Sequence, residues 1–123
     1  MKGNHLYLTA VTPGTLTIET VTDAVRQRWP GIRLYPRGES GRRELGFFVP
    51  VGASEVDCNF FEKGQFVAVD EGEEGAEVLE WVLSIASEDA RWVVFTEHET
   101  DATPVPSRAS ARQVLDAVHW PAR

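Results

Sequence analysis

The stretch ELGFFVPVGASEVDCNFFEKGQFVAVD, residues 44–70, decides the fold. Leu45, Phe47, Val49 and Val51 recur at every second position, as do Val56, Cys58 and Phe60, and then Val67 and Val69. A period of two places such residues on one face of a β-strand. Gly52-Ala53 and Lys63-Gly64 break the alternation at hairpin spacing. The pattern predicts a three-stranded antiparallel meander over 44–51, 55–62 and 65–70. With Val51 facing Ser54 and Glu62 facing Gln65, all the alternating apolar residues from Leu45 to Val69 share one face, and a one-residue slip would scatter them.

That register also fixes the second face, in the rows Phe48–Asp57–Asp70, Gly46–Asn59–Ala68 and Glu44–Phe61–Phe66. Like charges directly opposite, as Asp57 and Asp70 would be, destabilise a sheet. Phe48, Phe61 and Phe66 are costly to leave in water. Two readings stand side by side. A helix or the 97–106 segment covers the phenylalanines, or aromatic anchors beside an acidic strip form a hot spot for a partner's Arg or Lys.

Working outward, 5–11 reads as a first strand ending at Thr12-Pro13-Gly14. Ile18, Val21, Val25 and Trp29 then recur at helical intervals. Thr17 or Thr20 would cap that helix, and Thr20-x-x-Asp23 resembles a capping box. Trp29-Pro30-Gly31 ends it, 32–35 reads as a short strand, and 36–43 is an arginine-rich loop. Beyond the meander, 74–87 carries Ala76, Leu79, Val82, Leu83 and Ala86 on a helix whose apolar face Val78, Trp81 and Ile85 broaden. The very apolar 91–96 reads as a central strand. Residues 103–105 read as an edge strand, because Pro104 and Pro106 cannot donate to a ladder. Ser107 or Ser110 caps a last helix with Val114, Leu115 and Val118. Strands in antiparallel succession mixed with helices give an α+β fold, a mostly antiparallel sheet with helices mainly on one face.

At 123 residues the chain makes one domain, 1–123, able to bury about two thirds of its unfolded surface. The lone cysteine, Cys58, excludes an intrachain disulfide and fits a reducing, cytoplasmic setting. No apolar run is long enough for a membrane helix. The net charge of −7 is unevenly spread: residues 44–101 hold fifteen of the nineteen acidic residues and two of the twelve basic ones. That segment would repel a phosphate backbone and attract a basic protein.

Catalytic and metal motifs are missing. There is no H-E-x-x-H, C-x-x-C or G-x-S-x-G pattern. Cys58 falls on the inward face, and His5, His98 and His119 have no ligand spacing. The 70–77 stretch lacks the alternation of a calcium loop, and Glu73, Glu74 and Glu77 suit the first turn of a helix. Gly38–Arg43 departs from the phosphate-loop pattern, so Arg37, Arg42 and Arg43 read as solvated or as partners of the acidic segment. No metal or cofactor is expected.

The segment FVAVDEGEEGAEVLEWVLSIASEDARWVVFTEHETDATPVPSRASARQVLDAV, residues 66–118, runs strand, acidic turn, helix, strand, irregular edge and helix. In this the chain resembles the immunity proteins of bacterial polymorphic toxin systems. The resemblance implies a non-enzymatic domain that neutralises a basic toxin, and it carries over no binding residue. From the residues themselves the expected contacts are Asp57, Asp70, Glu71, Glu73, Glu74, Phe48, Phe61 and Phe66. Nucleic acid and membrane are not expected partners. Two other classes fit the same residues: a homodimer pairing through the phenylalanine face, and a small enzyme or ligand-binding domain using the Asp57–Asp70 pair.

Overall fold

A computed structural model describes residues 4–12, 15–37, 44–97 and 101–119, with the backbone alone at Arg37. The expected turn at Pro13-Gly14, most of the arginine-rich loop and His98 lie outside them. The elements run β1 (His5–Ala10), α1 (Ile18–Arg28), β2 (Leu34–Arg37), β3 (Glu44–Val51), β4 (Ser54–Phe61), β5 (Phe66–Asp70), α2 (Glu73–Ile85), β6 (Trp92–Thr96), β7 (Thr103–Val105) and α3 (Ala111–Ala117). The strands form a seven-stranded sheet in the order β2-β3-β4-β5-β1-β6-β7, with every neighbouring pair antiparallel. The fold is α+β, as the sequence pattern predicts.

The meander forms in the expected register, with Val51 opposite Ser54 and Phe61 opposite Phe66. Gly52 has φ +59°, the positive value that a type II′ hairpin demands of its first central residue. The second connection differs from expectation, because β4 stops at Phe61 and β5 starts at Phe66. Gln65 leaves the ladder for a left-handed conformation, φ +51°. Its buried side chain ties the hairpin to the start of α1. Oε1 accepts from the Leu16 N–H at 2.7 Å, while Nε2 donates to the carbonyls of Leu16 (2.7 Å) and Glu62 (2.8 Å). Glu62 adds a carboxylate that accepts from the Ile18 N–H at 2.9 Å.

That long-range support sets where α1 begins. Thr17 is the N-cap, accepting from the Thr20 N–H at 3.1 Å, so Thr20 lies inside the helix and no box forms between Thr20 and Asp23. Val21 and Val25 turn into the core. At α2, Gly75 permits close approach to the sheet: a Cβ there would lie 1.7 Å from the Asp70 carbonyl oxygen. The last turn of α2 holds no basic residue. Arg108 serves instead, its Nη1 donating to the carbonyls of Leu83 and Ala86. Ser110 caps α3 in a full capping box with Gln113.

All three helices bury their apolar faces against one side of the sheet, where Leu6, Leu8, Phe47, Phe60, Trp92 and Val94 are almost wholly excluded from water. Trp29 and Trp81 meet edge to face at 4.9 Å and join α1 to α2. Two strand expectations are corrected. The short second strand lies two residues later, at Leu34–Arg37, because it is placed by pairing with β3, Leu34 against Phe47. The apolar strand β6 is next to last in the sheet, not central. Its apolarity has a local source, since Trp92 and Val94 face the core while Phe95 joins an aromatic cluster on the other side. Each edge strand contains a proline, Pro36 in β2 and Pro104 in β7.

Candidate functional site

The candidate site is the sheet face opposite the helices. Two of the rows expected from the sequence are present in full: Gly46 pairs with Asn59 and Asn59 with Ala68, and Glu44 pairs with Phe61 and Phe61 with Phe66. In the third, Phe48 pairs with Asp57, but the β4–β5 ladder ends at Cys58 and Val69, and Asp57 meets Asp70 through the Asp70 side chain. No described helix covers this face. Phe48 is 40% exposed, and Phe61 and Phe66 are half-buried. Strand order enlarges the site, because β1 lies between β5 and β6. Tyr7 therefore stands opposite Ala68 on one side and Phe95 on the other, and His5 stands opposite Asp70.

Two aromatic groups result. Tyr7 stacks on Phe66 at 5.2 Å and on Phe95 at 5.1 Å, and Phe61 tilts against Phe66 at 5.5 Å. Across the face, Tyr35 and Phe48 meet edge to face at 6.2 Å. Mutual stacking shields the larger group from water and adds about 0.5–1.5 kcal/mol per pair. Gly46, Asn59 and Ala68 separate the two groups with small side chains, which makes a low floor between aromatic walls.

The polar groups are held in place. The Asp57 backbone N–H donates to Asp70 Oδ2 at 3.0 Å, and Asn59 Nδ2 donates to Asp57 Oδ1 at 3.0 Å. These donors offset the repulsion expected between opposed carboxylates. An ionised carboxylate offers about four acceptor positions, so acceptor capacity remains for a visiting cation. At the far end of the same row, Glu97 accepts from the Tyr7 hydroxyl at 2.7 Å, and the His5 backbone N–H and Nδ1 approach its carboxylate at 3.3 and 3.2 Å. The Tyr7 hydrogen bond, with those of His5, holds the Glu97 carboxyl below its usual range. Burial, and then the same bond to Glu97, pushes the Tyr7 phenol up to about 12.

The eight residues expected at the contact surface divide. Phe48, Asp57, Phe61, Phe66 and Asp70 share the face. Glu71 is in the turn after β5, its N–H donating to the Asn4 carbonyl. Glu73 and Glu74 are exposed on the first turn of α2, in the helical layer. The charge run that joins them in sequence thus parts at the turn. Sequence reasoning missed Tyr7, Phe95, His5 and Glu97. Their alternation in β1 and β6 was legible, but only strand order brings them beside Phe66 and Asp70.

Cys58 points into the core, and burial, with Asp57 and Asp70 nearby, pushes its thiol upward, away from the reactive thiolate. No group of three His, Cys, Asp or Glu among the described residues is arranged to hold a metal ion. No helix among them is long and apolar enough to cross a membrane. Compared with known proteins, the chain matches no family model, no curated protein and no solved structure.

Proposed function

We propose that this domain is a non-enzymatic protein-binding module of the cytoplasm, an immunity protein that takes up a basic bacterial toxin on its open acidic face. The observation that carries the reading is the pairing of exposed Phe48 with Asp57, together with the hydrogen bond that holds the Asp70 carboxylate at the Asp57 N–H, on a face without a described helix above it. Aromatic side chains supply desolvated area at low entropic cost, and fixed carboxylates supply selective pairing with Arg or Lys. The net charge of −7 speeds encounter with a basic protein. A homodimer through this face is less favoured, because an isologous interface would gather two copies of the Asp57–Asp70 pair in one patch.

The test uses the polypeptide encoded beside the gene for this chain. Calorimetry with that polypeptide should show affinity that falls as salt rises, and that falls again in Phe48→Ala and in the Asp57→Asn, Asp70→Asn double variant. Affinity indifferent to both salt and these substitutions would remove the proposal. Self-association of the free chain in sedimentation would favour the homodimer.

A further inference from the structure

Beside the open face, the turn between α1 and β2 leans toward β3 and encloses a cleft of about 760 Å³, open to solvent along one side. Its lining includes Arg28, Trp29, Arg33, Tyr35, Phe48 and Glu55. In charge it is the opposite of the strip at Asp57 and Asp70: two guanidiniums against one carboxylate. Neither arginine forms an ion pair with a described residue. Arg28 Cζ lies over the Trp29 ring, 5.1 Å from its centre, a cation–π contact that places the guanidinium at the cleft and leaves its N–H donors without a carboxylate partner among the described residues. A planar fork of this kind matches a carboxylate in bidentate geometry. The edge-to-face pair of Tyr35 and Phe48 offers a wall for an apolar or aromatic neighbour of that carboxylate.

We propose that this cleft receives an acidic segment of the partner, a carboxylate side chain flanked by an aromatic residue. The inference rests on the protein-binding reading, and it adds that the partner is bipolar. Phe48 belongs to both surfaces, so a protein docked on the open face reaches the cleft without a gap. The open side suits a peptide segment better than a small molecule, which needs most of its surface enclosed. Strands lie about 4.8 Å apart, so the cleft over β2 and β3 sits on the order of 10 Å from the Asp57–Asp70 pair. The partner therefore carries an acidic and a basic side chain at about that separation.

Backbone amide NMR titrations with three probes test this and keep the two readings apart. The probes are a blocked Glu-Phe-Asp tripeptide, a blocked Arg-Leu-Arg tripeptide and adenosine monophosphate. The acidic peptide should shift the amides of 31–33 and 48, and binding should weaken about tenfold in Arg33→Glu, the scale of one charge-assisted hydrogen bond. Arg28→Gln should weaken it as well, and Arg33→Lys should restore part of what Arg33→Glu loses. Both arginines are exposed, so an unchanged spectrum elsewhere certifies the fold. No shift at 31–33, equal binding to Arg33→Glu, or binding of the nucleotide in place of the acidic peptide overturns the proposal. The basic peptide reports separately on the parent reading: its shifts belong at 57, 59, 68 and 70. Their absence beside a responsive cleft sinks the acidic-face reading and leaves the cleft as a receptor for acidic segments alone.

Discussion

Replacing Gln65 by alanine removes the three side-chain hydrogen bonds that hold the β4–β5 hairpin to the start of α1. The largest loss falls on the Leu16 N–H, which lies in a buried site and has Oε1 as its acceptor. A buried donor left without a partner costs about 1–3 kcal/mol, and the two carbonyls add less, since the Glu62 carbonyl keeps its bond from the residue 65 N–H and the Leu16 carbonyl loses one donor. A total of about 2–3 kcal/mol is expected, a large share of the stability of an ordinary domain. Glycine at the same position loses the same bonds but relieves the left-handed backbone, so Gln65→Gly should be about 1 kcal/mol more stable than Gln65→Ala. Equilibrium urea unfolding followed by tryptophan fluorescence measures both. A cost below about 0.5 kcal/mol for alanine, or glycine as the worse of the two, would refute the staple.

Three further outcomes follow from the geometry. Arg108→Ala should cost about 1–2 kcal/mol in the same unfolding experiment, because the Leu83 and Ala86 carbonyls at the end of α2 lose the basic donor that the described residues supply; a loss within error would mean that water serves as well. Cys58 should ignore a thiol reagent in the native protein and react at once in denaturant, whereas prompt native labelling would show that the core opens there. The Tyr7–Glu97 bond acts at both ends of the pH scale. The Glu97 carboxyl is depressed in the folded state, so its contribution is complete above the ordinary carboxylate value and lost as pH falls through the folded one. The Tyr7 phenol is raised, so its contribution is complete below about 10 and lost as pH rises through about 12. Phenolate absorbance in Glu97→Gln should move Tyr7 downward but not back to the ordinary value, since burial is the larger cause. Stability differences between this variant and the parent should shrink in acid.

The meander was legible because a strict two-residue period, punctuated by glycine, leaves one register that buries Leu45 to Val69 together. Helix existence was equally plain from the spacing of Val21 and Val25 and of Leu79 and Leu83. What escaped was everything decided between distant segments. The insertion of β1 between β5 and β6 rests on backbone hydrogen bonds, which carry no residue signature, so Tyr7 could not be placed beside Phe66 and Phe95. The start of α1 depends on Glu62 and Gln65, more than forty positions away. The acidic run from Asp70 to Glu74 read as one patch, although the turn at Gly72 sends its two halves to opposite layers. The cleft arginines went unnoticed for a related reason: Arg28 ends a helix and Arg33 precedes a strand, and only the turn between them brings both to one hollow.

The prolines at the two borders of the sheet carry a consequence for recognition itself. An incoming strand needs a continuous series of main-chain donors to graft onto, and Pro36 and Pro104 each interrupt one. Growth by strand addition, whether by a ligand or by further copies, is discouraged at both ends. On the proposed reading, selectivity is thereby left to side chains standing on the flat of the sheet. A surface that recognised partners in the proposed way could change its choice one residue at a time, as Phe48 or Asp57 is exchanged, while the ladder beneath stays the same.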